Sequence, residues 1–370
     1  MIAARQPVQR SPRAKLGVVK ANGEILHLPR TALVDVLNRG DLVVANDAAT
    51  LPASLAGGHV PTGAPIEVRL AGRHTLTEAH CFTAIVFGAG DFRTRTEDRP
   101  PPPPLTAGDA IVLGSLTARI ERVLDHPRCV LIRFEGAAAA IWEGLARSGK
   151  PIQYAHLAMP LALWDVWTAI AGPPVSFEPP SAGFALDWRM LARMQAKGIV
   201  FATLTHAAGI SSTGDAVLDA RLPFDEPYRI PLATAVAIRR GRRAGRRIVA
   251  VGTTVVRALE HAGRFGDVNA GEGIADQRIG PDTRLHVVDA ILSGTHEPGT
   301  SHYELLRAFT DDATLERVSE ELDARGYLTH EFGDSVLLES RKQVSWARER
   351  TAVSPAEESQ RSATLEKLIS

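Results

Sequence analysis

Apolar and polar positions divide this 370-residue chain into three textures. In the first, Leu16–Val19 and Ile25–Leu28 read as two short strands turned at Asn22-Gly23. Thr31–Asn38 follows as a brief helix stopped by Gly40, and the apolar run Asp41–Ala45 is a buried strand. From about Ile66 the texture changes to short β-type runs without intervening helices: Ile66–Leu70, Phe82–Phe87, Ala110–Leu113, Ala118–Leu124 and Cys129–Phe134. Gly, Pro and Asp turns separate them, which predicts a small antiparallel barrel or sandwich. Pro100–Pro104 cannot enter a central strand and belongs to an extended loop of this unit.

Past Gly136 the helical period returns. Ala137–Arg147, Leu161–Ile170 and Asp187–Ala196 are expected helices, the last capped by Asp187 and ended at Gly198. Then come strand Ile199–Thr205, helix Leu232–Ala244, strand Ile248–Val251, helix Thr254–Ala262 and strand Leu285–Leu292. Helices at His302–Phe309 and Ala313–Arg325 and a strand at Ser335–Glu339 complete the series. Alternation of this kind implies an α/β domain with a mainly parallel sheet covered by helices. The expected boundaries are 1–65 and 151–340 for the two parts of that domain, with an inserted β-barrel at 66–150. The tail 341–370 is polar, without a strong apolar period, the texture of a partly disordered segment.

Composition narrows the class. Hydrophobic residues make up 45% and charged residues 23%, ordinary for a soluble globular protein, and the length favours two domains. Basic and acidic residues balance at 42 each, so net charge selects no partner. Arg239, Arg240, Arg242, Arg243, Arg246 and Arg247 nevertheless crowd one helix end, either a solvated terminus favoured by the dipole or a contact for nucleic acid. Cys81 and Cys129 lie far apart, and no H-x-x-x-H pair marks a metal site, so no metal is expected. With no apolar run long enough to cross a bilayer and no secretion signal, a cytoplasmic setting is expected.

Ligands of open α/β sheets bind beyond the carboxyl ends of strands. The residues there are Asn46-Asp47, His206, Gly252-Thr253-Thr254 and Ser293–His296, polar or conformationally special in each case. The richest is Ile248–Glu260, a buried strand, a turn at Gly252, and a helix opening on two threonines. Thr253 or Thr254 can cap the first amides, the remaining amides can receive a carboxylate or phosphate, and Arg257 one turn later can add charge.

Several of these segments together resemble the S-adenosylmethionine:tRNA ribosyltransferase-isomerases of queuosine biosynthesis. Gly40–Asp47 is similar to the family's G-D-L-L-V-F-N-D, and Pro180–Leu186, with Ser181 and Gly183, to P-T-A-G-L-H-F. Thr205-His206 falls on T-L-H-V-G-A-G-T-F, and the segment through Gly252 and Arg257 on A-V-G-T-T-S-V-R-T-L-E. Val288-Asp289 and His296-Glu297-Pro298 match V-D and H-L-P, and Tyr327 with Phe332-Gly333-Asp334 matches Y-R-F-F-S-Y-G-D. The likeness covers most of residues 5–339. Departures fall inside the motifs: Ala185 stands for a histidine, and H-x-M-H-x-E keeps only Glu226. The closing motif runs Leu328-Thr329-His330-Glu331 between its tyrosine and Phe332.

The resemblance implies an α/β domain with an inserted β-barrel. It implies transfer and isomerisation of the ribosyl group of S-adenosylmethionine (SAM) onto 7-aminomethyl-7-deazaguanine in tRNA, giving epoxyqueuosine. SAM is then a co-substrate and tRNA the partner, with oligomeric state left open. A base must remove the proton beside the sulfonium and an acid must serve the departing adenine. The candidates are His206, Glu226, His296 and Asp334. The expected SAM contacts are Asn46, Asp47, Ser181, Gly183, Gly252, Thr253, Thr254 and Arg257. The altered motifs keep two alternatives: a paralogue using SAM on a small-molecule acceptor, and a catalytically silent RNA-binding protein.

Overall fold

The computed structural model describes residues 2–9 and 11–341, so the expected tail lies outside the described residues from 342 onward. A nine-stranded sheet runs in the order Gly271–Ala275, Glu226–Ile230, Val200–His206, Leu42–Asn46, Ile248–Val251, Ala290–Gly294, Ser335–Glu339, Lys15–Val19, Ile25–Pro29. The central four strands are parallel, from Val200–His206 to Ala290–Gly294. Antiparallel pairs extend the sheet on the Glu226–Ile230 side, and on the other side antiparallel pairs flank one parallel pair, Ser335–Glu339 with Lys15–Val19.

Leu42–Asn46 and Ile248–Val251 are buried along their whole length, which explains their continuous apolar texture. Successive side chains serve opposite faces. Val44 and Ala250 pack with Val255, Leu259, Ala235 and Ile238. Val43, Ala45, Val249 and Val251 pack with Met190, Met194, Leu33 and Leu37. Helix Trp188–Lys197 begins where the Asp187 carboxylate accepts the Met190 amide at 2.6 Å and ends at Gly198, with φ 77°.

Six antiparallel strands close a separate barrel in the order Leu116–Val123, Cys129–Phe134, Cys81–Phe87, Pro65–Gly72, Ser54–His59, Ala110–Leu113. Ser54–His59 lies ahead of the expected start at Ile66. Its Gly57 and Gly58 hide the alternation, and a Cβ on Gly57 would run into the Val112 carbonyl. A bridge between Ser54 and Lys150 joins the chain's entry to its exit. Helix Ala138–Ser148 contributes Ile141 and Leu145 to the barrel's core. Pro100–Pro104 stays outside any strand, as expected.

Two expected elements shrink because tertiary partners replace local ones. Of Leu161–Ile170 only Leu163–Val166 is helical; the Trp167 indole instead donates to the Thr50 carbonyl at 3.0 Å, and Thr50 donates to the Val166 carbonyl at 3.2 Å. Of Leu285–Leu292 only Ala290–Gly294 is strand. The amides of His286, Val287 and Val288 donate to the Glu260 carboxylate, at 2.7, 2.9 and 2.8 Å, in place of a neighbouring strand. Among the described residues no helix is long and apolar enough to cross a membrane.

Candidate active site

A cavity of about 1040 Å³ lies at the carboxyl ends of Ile248–Val251 and Ala290–Gly294, with Arg69 of the barrel and the loop at Arg95–Glu97 on its far wall. It is therefore placed where parallel-sheet topology puts ligands. Seven expected residues line it: Ser181, Glu226, Gly252, Thr253, Thr254, Arg257 and His296.

The strand-to-helix turn forms its floor. Gly252 adopts φ 96°, a conformation costly for a residue with a Cβ, and helix Thr253–Gly263 starts directly after it. No side chain caps this helix, contrary to the expected threonine cap. Thr253 is already helical, and Thr254 Oγ1 is engaged as acceptor from Asn46 Nδ2 at 3.4 Å. Among the described residues no carboxylate bonds to the start of this helix, so its positive end is open to the cavity.

Arg257 does not stand free above that turn. Its guanidinium donates to Glu226 and to the carbonyls of Ala275 at 2.8 Å, Phe224 at 3.2 Å and Gln277 at 3.2 Å. Glu226 accepts the Gly209 amide with its other oxygen at 2.5 Å. Burial pushes the Glu226 carboxyl up, while Arg257 and the Gly209 amide pull it back. His206 lies behind this pair, fully buried, its Nε2 3.4 Å from Glu226. Burial, then Arg257, holds its imidazole well below the usual histidine range, hence neutral. Arg257, Glu226 and His206 thus form a buried polar block that anchors the floor.

Asn46 accepts the amides of His206 and Ala48, each at 3.0 Å, and donates to the His206 carbonyl at 2.9 Å. Asp47 accepts the hydroxyls of Thr205 at 2.7 Å and Thr203 at 2.9 Å. Both side chains lock neighbouring strand ends together behind the cavity wall. Gly183 is a packing glycine, since a Cβ there would lie 3.0 Å from Thr168 Cγ2. Asp334 is not at the cavity: its carboxylate accepts the amides of Lys15 at 2.6 Å and Leu328 at 2.8 Å, joining distant segments. A structural role replaces the acid–base role expected for it.

His296 does face the cavity, with Nε2 2.8 Å from Ser293 Oγ and its ring 4.8 Å from that of His302. Burial, with His302 and His330 nearby, keeps His296 well below the usual histidine range. Burial likewise lowers His302 to about 4.

The fold adds wall residues beyond the expected site set. Glu178, buried on the cavity wall, is pushed up to about 8 by desolvation, so its carboxyl holds a proton at neutral pH. Tyr154, His156, His330 and Glu331 line an adjoining wall. The donor atoms of His156, His330 and Glu331 all fall within 4.8 Å of one another, a set able to hold a metal ion. No spacing could reveal these groups, because 156 and 178 meet 330 and 331 only through the fold.

The arginine cluster lies elsewhere. Helix Leu232–Arg243 delivers it to the amino end of the central strand Ile248–Val251, the end opposite the cavity. Arg247 there donates to Asp41 at 2.6 Å and to Glu339 at 2.7 Å, Arg239 donates to the Val268 carbonyl at 2.9 Å, and Arg246 to that of Arg39 at 3.3 Å. The exposed arginines that line the cavity are Arg95 and Arg278.

The profile of one protein family, described as queuosine biosynthesis protein, matches residues 1–338. A protein of Sorangium cellulosum named S-adenosylmethionine:tRNA ribosyltransferase-isomerase is 30% identical, over 91% of this chain and 95% of its own length. One of the same name from Thermus thermophilus is 31% identical, over 90% and 95%. A solved S-adenosylmethionine tRNA ribosyltransferase from Thermotoga maritima aligns with a TM-score of 0.49 at 24% identity, covering 91% of this chain and 96% of that one.

Proposed function

The chain belongs to the queuosine biosynthesis protein family, and from this premise we infer that it is a SAM:tRNA ribosyltransferase-isomerase. It transfers and isomerises the ribosyl group of SAM onto 7-aminomethyl-7-deazaguanine in tRNA to give epoxyqueuosine, releasing adenine and methionine. The observation that carries the site assignment is the uncapped helix start at Gly252-Thr253-Thr254, open to a cavity large enough for SAM and a protruding base. The methionine carboxylate of SAM lies against the first amides of that helix, with the Thr253 and Ser181 side chains beside it. Arg257 and Glu226 hold the floor in place.

The reaction needs a proton acceptor and a proton donor on one cavity. His296, neutral and oriented through Ser293, is the acceptor for the proton on the carbon next to the sulfonium. Glu178, which keeps its proton at neutral pH, is the donor to the departing adenine. Two free, buried thiols, Cys81 and Cys129, support a reducing compartment such as the cytoplasm.

The test is adenine release from SAM, followed by chromatography, with and without tRNA carrying the deazaguanine base. Release that requires this tRNA, with the ribosyl label recovered in RNA, is the expected result. Turnover of SAM without RNA, or restoration of no queuosine in a host lacking its own enzyme, would overturn the reading in favour of a small acceptor or a silent binder.

A further inference from the structure

We propose that His156, His330 and Glu331 form a binding site for one divalent transition-metal ion of the zinc class, a site added to this chain on the cavity wall. Their nitrogen and oxygen donors are the set that such ions select, two imidazoles and one carboxylate, which leaves a further coordination position for solvent or ligand. All three donor atoms lie within 4.8 Å of one another.

The distances fit an ion better than they fit direct pairing. His156 Nε2 and Glu331 Oε2 stand 3.9 Å apart, beyond hydrogen-bond range, yet within the span of two metal–ligand bonds of about 2.0–2.2 Å each. Neither atom has a hydrogen-bond partner among the described residues, and both are hidden from solvent. Hidden unpaired polar atoms are costly, and a bound cation would satisfy both at once. Tyr154 Oη, beside His156, is hidden and unpartnered as well.

The backbone is also arranged for this juxtaposition. His330 has φ 67°, the one non-glycine residue with positive φ among the described residues. That conformation is held by a turn in which the Gly333 amide donates to the His330 carbonyl at 2.9 Å, and it brings the His330 ring to 4.5 Å from that of His156. In the family motif Y-R-F-F-S-Y-G-D the two ligand positions on this segment are phenylalanine and serine, neither a metal ligand of this class. His330 and Glu331 therefore bring coordinating chemistry to a place where the shared motif has none.

The proposal is independent of the tRNA reaction, and its test reads metal directly. The untagged, chelator-treated protein is titrated with Zn²⁺ by calorimetry and with Co²⁺ by visible absorption, and metal content is measured after dialysis. One equivalent per chain is expected, with a Co²⁺ spectrum of low coordination number. His330→Phe and Glu331→Ser, which install the family's residues, should each weaken binding at least tenfold with an unchanged circular dichroism spectrum. His330→Asn, which tolerates the same backbone conformation, should do likewise and guards against misfolding of the turn. No stoichiometric metal in the wild type, or equal binding by folded variants, would overturn the site.

Discussion

Arg257 and Glu226 are in direct contact beneath the cavity, both almost completely removed from solvent. Their pairing ties helix Thr253–Gly263 to strand Glu226–Ile230, next to the sheet's edge, and, through the Gly209 amide, to the loop after His206. The arginine that the motif offers as a ligand for SAM is thus already saturated by the protein. Arg257→Ala should therefore act on stability first, because it leaves a buried carboxylate without its partner. Losses of this kind run to about 3–5 kcal/mol, and lysine cannot restore the fork of hydrogen bonds to three carbonyls. Urea unfolding checks this: a folded Arg257→Ala protein of wild-type stability would refute it.

The turn itself is the place to look for loss of SAM affinity without collapse. Thr253→Val keeps shape and removes a hydroxyl at the cavity floor, and it should weaken SAM by roughly 1–2 kcal/mol in calorimetry. Gly252→Ala should do worse, since φ 96° is strained for alanine and its Cβ would lie 3.4 Å from Ala182 Cβ. Identical SAM affinity in both variants would reduce the turn to a plain connection.

Glu178 imposes a pH dependence with a definite sign. Its carboxyl is raised from 4.5 to about 8 in the folded protein, so between those values the folded state holds a proton that the unfolded chain releases. The associated stability is complete below pH 4.5 and is lost as pH rises through about 8. Glu178→Gln, which needs no proton, should gain on the wild type across that window when urea midpoints are compared. If the carboxyl protonates adenine, the rate should also fall above pH 8, and the variant should lose roughly 10²–10⁴-fold in rate together with that alkaline limb. A wild-type rate profile that stays flat well above pH 8 would remove Glu178 from the role.

Recognition of tRNA should depend on arginines at the cavity and not on the conspicuous cluster. Arg95→Ala with Arg278→Ala should lower tRNA affinity and flatten its dependence on salt by about one unit of slope for each arginine–phosphate pair removed. Neutralising Arg242, Arg243 and Arg246 should change binding less, because they sit at the opposite end of the central strands. Filter binding over a range of salt concentrations distinguishes the two sets, and the reverse ranking would place the RNA on the far side.

Much of the fold is written in local spacing. Strands Ile248–Val251, Ala110–Leu113, Cys129–Phe134 and Ser335–Glu339 have the bounds that the apolar runs predict. Helix Trp188–Lys197 starts and stops at the expected Asp187 and Gly198. Such features depend on side-chain period, capping chemistry and glycine conformation, all of which act within a few residues of chain. Motif order likewise makes the family legible, because the similarity is spread over almost the whole length.

What a polar side chain does was decided by tertiary structure, because its partners come from elsewhere in the chain. Asp334, Asn46 and Asp47 sit at the strand ends and motif positions where site residues are expected, yet their side chains bond to neighbouring segments, and His206 is buried against Glu226; none of the four lines the cavity. Glu178, with no motif to recommend it, is brought to the wall and desolvated there, and His156 meets His330 and Glu331 across more than 170 residues of intervening chain. Sequence periodicity determines which face of an element is apolar. Only packing determines which charges lose their water and which groups share a cavity, and those two facts set the chemistry of this protein.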